Sequence, residues 1–445
     1  MGMIALALSS CGGDGASPTP PPVTVGPTPQ PTPAPTPTPS PSPPPTTGSV
    51  LTYVHVFGLG QGLSAQPNGP IMQANDGNYY GTTRAGGFLN CPRNVSVPCG
   101  TIFRMDPAGN VTVLYRFDMV GDQGFRPRGA LIQGSDGLLY GLTGSGGPTG
   151  GGGTAYRISL RGEIEFLASF GVGPLQGFNP GGGLVEARDG NFYGVTSQGG
   201  QFDCPEFRAR CGTVFRMTRN GEVTFIYNFT TGTSDGAQPN GPLVEGPDGQ
   251  LWGATALGGT TGSGTIFKVT LTGELTTLHS FGSTANDGLV PQGTMILASD
   301  GNFYGTTVAG GTDNHGTVFR ITPAGNYSII HDFGANGGLA SGSGVNQYLF
   351  EGSDGQLYGI TNTGGRLVNG AIGSGTLFRM SKTGQKQVLF VFGDSSPGQG
   401  PYDPDGGVIQ GSDGAFYGVL ENNGGLGATG PFTGAGALFR FGPPR

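Results

Sequence analysis

The chain has 445 residues, 91 of them Gly and 36 Pro, with 35% hydrophobic and 11% charged residues and a formal net charge of −7. A disordered chain pairs low hydrophobicity with high charge, so this composition excludes one. The acidic balance offers nothing to a phosphate backbone, and no nucleic-acid partner is expected.

The first element lies outside any fold. Residues Met3 to Leu8 are apolar, and Leu8-Ser9-Ser10-Cys11 follows. The run is too short to span a bilayer. It resembles a bacterial lipobox, in which the chain is cut before the Cys and lipid is attached to it. Residues 1–11 are therefore expected to be a short lipoprotein signal with Cys11 as the lipidated residue. That places the protein outside the cytoplasm, held to a membrane of the cell envelope.

Residues 12–48 follow as a tether. Between 17 and 47 lie 15 of the 36 prolines, among Thr and Ser. Such a segment can form neither a ladder nor a helix and prefers polyproline II. At about 3.1 Å per residue it would reach roughly 90 Å when extended, enough to hold a domain off a surface.

Residues 49–445 are repeats. Asp-Gly recurs at Asp76, Asp136, Asp189, Asp248, Asp300, Asp354 and Asp413, at intervals of 52 to 60 residues. Four residues after each Asp stands an aromatic followed by Gly: Tyr80, Tyr140, Tyr193, Trp252, Tyr304, Tyr358 and Tyr417. An aromatic-basic pair comes next, as in Phe215-Arg216, then a Gly, then a closing Phe such as Phe229. Each unit holds four β-prone runs, here called strands A to D. In the third repeat they are GGLVEA, NFYGVT, GTVFRMT and GEVTFIYNF. Asp-Gly between A and B is a hairpin signal. Four strands at this period predict the blades of an all-β, seven-bladed propeller. The C-terminus stops after a strand C (436–441), and residues 49–57 form a D without A, B or C. The two are expected to pair and close the ring, leaving no free edge.

With its S-D-G-x-F-Y-G-T-T and G-T-V-F-R-x-T segments repeated seven times, the unit resembles the bacterial GloVer tandem repeat over roughly residues 49–445. The resemblance implies export and repeat architecture, and neither a defined activity nor catalytic residues. Departures are Trp252 for Tyr, and Val345 and Gln347 where other repeats have Pro and Gly.

The A–B and C–D turns are uniform in length and share one face. The B–C loops, about 8 to 16 residues by their spacing, and the D–A connections share the other. Binding groups concentrate on variable loops over a rigid scaffold. Cys91 and Cys99 fall in the first B–C loop, Cys204 and Cys211 in the third, each pair ending just before strand C. Disulfides Cys91–Cys99 and Cys204–Cys211 are expected. The spacings are not C-x2-C, so no metal is expected, and no motif calls for a cofactor.

Candidate chemistry is sparse. Gly232-Thr233-Ser234-Asp235-Gly236 matches G-x-S-x-G but lacks a following helix. His55, His279 and His331 sit where other blades have Tyr115, Tyr227 or Phe390, which points to packing. The recurrent Asp and strand C basic residues are read as paired turn and strand charges. Just before strand A a P-x-G triplet recurs with a changing middle residue. Asn68, Arg128, Asn240, Gln292 and Asp405 are the candidate ligand-binding residues at the channel mouth, with Phe88, Phe202, Phe207, Asp313 and His315 as the rim. The expected function is a binding or scaffold module for a glycan or protein ligand. The alternative is an exported enzyme acting on polysaccharide or a small molecule at the same mouth. Two converging carboxylates in one pocket would favour the enzyme.

Overall fold

Each repeat folds into a twisted antiparallel sheet whose strands pair in chain order. In the third, strand A is Gly177–Glu186, B is Phe192–Gly199, C is Thr213–Met217 and D is Val223–Asn228. The computed structural model describes residues 49–445 apart from 59–63, 68, 88–98, 119–122, 149–150, 172–175, 205–208, 231–234, 292–294, 334–342, 366–372, 394–403, 405, 422–435 and 444–445. Seven such sheets form the ring of an all-β propeller, with no helix among the described residues. Strands B and C are buried along nearly their whole length because each blade is covered by a neighbour on both faces. Strand D, at the outer edge, is half-buried, with Thr224 exposed to solvent in the third blade.

The ends of the chain close the ring as expected. Val50–Val56 lies antiparallel to Ala437–Gly442, from Val50 opposite Gly442 to Val56 opposite Ala437. The Phe57 N–H bonds the Gly436 carbonyl at 3.0 Å. The seventh sheet therefore takes its outer strand from the start of the repeat region and its other three from the end.

The recurrent aspartates are turn residues. In all seven A–B turns Oδ1 accepts the N–H two residues on, at 3.0–3.1 Å. In six turns Oδ2 also accepts the hydroxyl of the Tyr four residues on, at 2.7–3.0 Å. The expected pairing with the strand C cation holds for Lys268–Asp248 at 3.6 Å, Arg379–Asp354 at 3.8 Å and Arg440–Asp413 at 3.1 Å. Elsewhere the pattern differs. Arg157 turns to Glu165, and Asp136 and Asp300 meet Arg219 and Lys382 from the C–D turn of the next blade. The Tyr hydroxyl is the nearer and more regular partner, so the cation can be drawn from either blade. These contacts also place the A–B and C–D turns on one face.

Three devices join neighbouring blades. Three residues before six of the seven turn Asp stands Gln or Glu, whose side-chain oxygen accepts a backbone N–H from the preceding blade: Gln133 from Asn75, Glu186 from Ser135, Glu245 from Arg188, Glu351 from Ser299, Gln410 from Ser353, and Gln73 from Ser412 across the closure. The seventh junction has Leu297 at this position, and the facing residue is Pro247, which has no N–H to give. A Gln or Glu there would meet no backbone donor, so the half-buried apolar residue loses no clasp. Second, the strand B aromatic stacks on the next blade, as in Tyr140 on Phe192 at 4.1 Å and Trp252 on Phe303 at 4.1 Å. Third, the proline of P-x-G lies against the Gly that opens strand C of the preceding blade. A Cβ on Gly153 would lie 2.8 Å from the Pro180 Cδ and 2.2 Å from the Thr143 carbonyl oxygen. Inside six blades a buried Thr pair, such as Thr196 and Thr213 at 2.7 Å, bridges strands B and C. The seventh blade replaces both with apolar Leu420 and Ala437.

Candidate functional site

On the variable face the chain enters strand A through a residue that precedes the proline of P-x-G. In five blades this residue is not Gly yet has a left-handed backbone: Gln66 (φ 53°), Arg126 (59°), Asn179 (57°), Gln238 (55°) and Val290 (55°). A side chain in this region costs about 1 kcal/mol. The conformation is held from outside the strand. The N–H groups of Arg126, Asn179, Gln238 and Val290 bond the carbonyls of Cys99, Gly152, Cys211 and Ser263 at 2.7–2.9 Å, each in the preceding blade. The backbone is thus fixed by the repeat while its side chain is free to differ.

The P-x-G triplets stand within the innermost strand rather than ahead of it. Gly124–Gln133 and Gly177–Glu186 run through them, with register shifts after Arg128 and Gly181. The glycines of adjacent triplets meet backbone to backbone. A Cβ on Gly129 would lie 2.6 Å from the Gly182 carbonyl carbon, and one on Gly182 would lie 2.3 Å from that of Gly241. The middle residues therefore belong to the wall of the channel, behind its lip.

Of the predicted mouth residues, Arg128 and Asn240 are described; Asn68, Gln292 and Asp405 lie outside the described residues. Arg128 is half-buried and donates to the Asn179 Oδ1 at 2.8 Å. Asn179 Nδ2 in turn donates to the Ser197 hydroxyl at 2.9 Å, which donates back to the Asn179 carbonyl. The carboxamide of Asn240 lies beside Gly181, 3.2 Å from where a Cβ would stand, and makes no hydrogen bond among the described residues. Burial lowers the Arg128 pKa, and the nearby guanidiniums of Arg84 and Arg126 lower it further, while the Tyr348 phenol acts the other way. Arg84, Arg126, Asn179 and Tyr348 were not singled out from sequence. The signal for Arg126 and Asn179 was present, since the residue before the proline varies as freely as the one after it.

Of the predicted rim, Phe202 is 38% exposed on the third B–C loop, where its carbonyl accepts the Cys211 N–H at 3.3 Å. Asp313 is exposed and His315 half-buried in the turn that ends the fifth B–C loop, and neither pairs among the described residues. Phe88 and Phe207 lie outside the described residues. The Cys204–Cys211 disulfide is present, with Asp203–Cys204 and Ala209–Arg210 paired as a short ribbon beside it. Cys99 is disulfide-bonded as well; Cys91, its expected partner, lies outside the described residues, as does Cys11.

The other chemistry candidates are absorbed by packing. His55, His279 and His331 each stand edge-on to the strand D Phe two residues later, at 4.8–5.0 Å. His279 also meets the buried Asp287 at 3.1 Å, and Tyr327 donates to the other oxygen of that carboxylate at 2.9 Å. The previous junction repeats the design, with Tyr227 donating to Asp235 at 2.8 Å. Asp235 of the G-x-S-x-G match is thus engaged in packing, and Ser234 lies outside the described residues. Among the described residues, no three His, Cys, Asp or Glu side chains converge as a metal site.

Fold and ring closure define a seven-bladed β-propeller built from tandem repeats. The chain belongs to the Gloeobacter/Verrucomicrobia repeat family, whose model matches residues 44–207 and 204–433. No curated protein matches it. Among solved structures it is similar to the extracellular domains of two B. thetaiotaomicron proteins assigned as hybrid two component systems. One is 14% identical with a TM-score of 0.53, over 88% of this chain and 42% of that one. The other is 12% identical with a TM-score of 0.50, over 87% and 41%. The chain thus spans less than half the length of either. At these identities the likeness is one of fold.

Proposed function

We propose that this protein is an exported binding module that takes a carbohydrate or protein ligand on its loop-variable face and is held to a membrane through lipid on Cys11. The observation that carries the binding role is the set of left-handed residues just before the prolines of the P-x-G triplets. The backbone of Arg126, Asn179, Gln238 and Val290 is clamped by the neighbouring blade, yet these side chains, and that of left-handed Gln66, differ from blade to blade. A fixed frame presenting exchangeable polar groups is the arrangement of a recognition surface. The opposite face is occupied by its own turn and clasp contacts. The Cys204–Cys211 disulfide supports an oxidising compartment, and hence export.

A glycan array probed with the full chain tests the binding role. Retention of a defined glycan class, weakened by Asn240→Ala at unchanged Tm, is the expected result. Binding that Asn240→Ala leaves untouched would put the site elsewhere. Anchoring is tested separately by mass spectrometry of the N-terminal peptide from membranes: a diacylglyceryl group on Cys11, absent in Cys11→Ser, is expected.

A further inference from the structure

The charges around the mouth are unevenly compensated. Arg126 and Arg128 flank Pro127 on one inner strand, Gly124–Gln133. Neither forms an ion pair among the described residues. The Arg126 Nε is buried without a hydrogen-bond partner. The one side-chain bond of Arg128 among the described residues is to a neutral amide, Asn179. Arg84, from strand B of the adjacent blade, adds a third guanidinium whose carboxylate partner, Glu421, stands 3.9 Å away. On the constant face Arg219, Lys268, Lys382 and Arg440 each meet a carboxylate, while Arg216 and Arg320, like Arg126, have a buried, unpartnered Nε but stand singly, one to a blade. In a protein of net charge −7, two guanidiniums on one inner strand with no ion pair among the described residues are a feature in need of a counter-charge.

Resting on the binding role proposed above, we infer that the variable-face end of the inner strands from the second to the fourth blade, centred on Arg126 and Arg128, is a carboxylate-binding subsite, and that its ligand is an acidic saccharide. A guanidinium offers a planar fork of N–H donors that matches a carboxylate in two parallel bonds. Partial burial strengthens such a pair relative to one in open water. Neutral amides lie alongside: the Asn179 carboxamide, which accepts from Arg128, and that of Asn240, which makes no hydrogen bond among the described residues. Amides around a charged fork suit the ring hydroxyls and the acid group of a uronate residue. A purely basic patch would instead suit a polyanion.

The experiment is calorimetric titration of the full chain with oligogalacturonate, with the matching neutral galactose oligomer, and with inorganic sulfate, in wild type, Arg128→Gln, Arg126→Gln and Arg161→Gln. Arg161, in the C–D turn of the second blade, serves as a charge control. Oligogalacturonate is expected to bind, weakened about tenfold or more (roughly 1.4 kcal/mol) by Arg128→Gln and by Arg126→Gln and unchanged by Arg161→Gln. The neutral oligomer should bind more weakly and respond little to Arg128→Gln. Neutral binding equal to that of oligogalacturonate overturns the carboxylate subsite and leaves the binding role standing. Sulfate binding as tightly as the saccharide, with the same loss in Arg128→Gln, overturns the saccharide assignment. Oligogalacturonate binding that neither substitution weakens, or no binding of it, overturns the inference; the glycan array then decides the binding role on its own.

Discussion

His331 shows how one position in a repeat acquires a pH dependence that the aromatic residues at the same position in other blades lack. It stands where the next blade has Phe390, edge-on to Phe333. Burial lowers its pKa from 6.5 to about 4, the charge of Lys386 adding to the effect. The folded state therefore keeps the ring neutral while the unfolded chain takes up a proton. Its contribution to stability is fully present above pH 6.5 and is lost as pH falls toward 4. The turn aspartates act lower. Burial raises the pKa of Asp76, Asp189 and Asp300, but hydrogen bonds from the Asn two residues on and the Tyr four residues on outweigh it, and the net shift is below 3.8. Their contribution is present above that value and disappears as pH falls through the depressed one. Urea midpoints measured from pH 7 to 4 should fall less steeply for His331→Phe than for wild type. Equal slopes would show that this histidine does not carry the titration.

At the scale of the element, the glycines separate two costs. Gly153 and Gly77 both have positive φ, 104° and 81°. A Cβ on Gly77 would meet nothing within 4 Å, whereas on Gly153 it would enter the Thr143 carbonyl and the Pro180 ring. Gly77→Ala is expected to cost about 1 kcal/mol from backbone conformation alone. Gly153→Ala should cost at least about 2 kcal/mol, because a neighbouring blade must also move. Chemical denaturation of the two variants checks this, and equal losses would contradict the interblade contact. Blades, strands and closure were legible in the sequence because each is written in local periodicity and repeated seven times. The side-chain clasps were not read, although Gln or Glu stands three residues before the turn Asp in six repeats. Their partners lie more than 50 residues away, so nothing within one repeat points to them. The exception, Leu297 facing Pro247, is what makes the pairing rule visible once the blades are in place. The Asp–Arg reading was right about the turn and incomplete about the partner. A Tyr four residues on reaches back to the carboxylate, which frees the cation to come from either blade. The P-x-G pattern pointed to the inner strands, but Arg126 and Asn179 were missed because their role depends on a left-handed backbone held by the preceding blade.

On the scale of the whole molecule, the ring divides into a face that holds it together and a face that is free to vary. Closure depends on Val50–Val56, the outer strand of the last sheet. Deleting residues 49–57 exposes the edge of Ala437–Gly442, an open template for pairing with another chain. Such a variant is expected to lose Tm and to self-associate with rising concentration in sedimentation velocity; a monomer of unchanged Tm would show that closure contributes little. The division between faces is tested most directly by hydrogen–deuterium exchange of the full chain, with and without the tightest-binding saccharide from the array. The account predicts added protection in residues 124–129, 177–182 and 237–241, on the inner strands of the variable face. Protection confined to the turns at 134–138 and 187–191 would place the ligand on the constant face and contradict it.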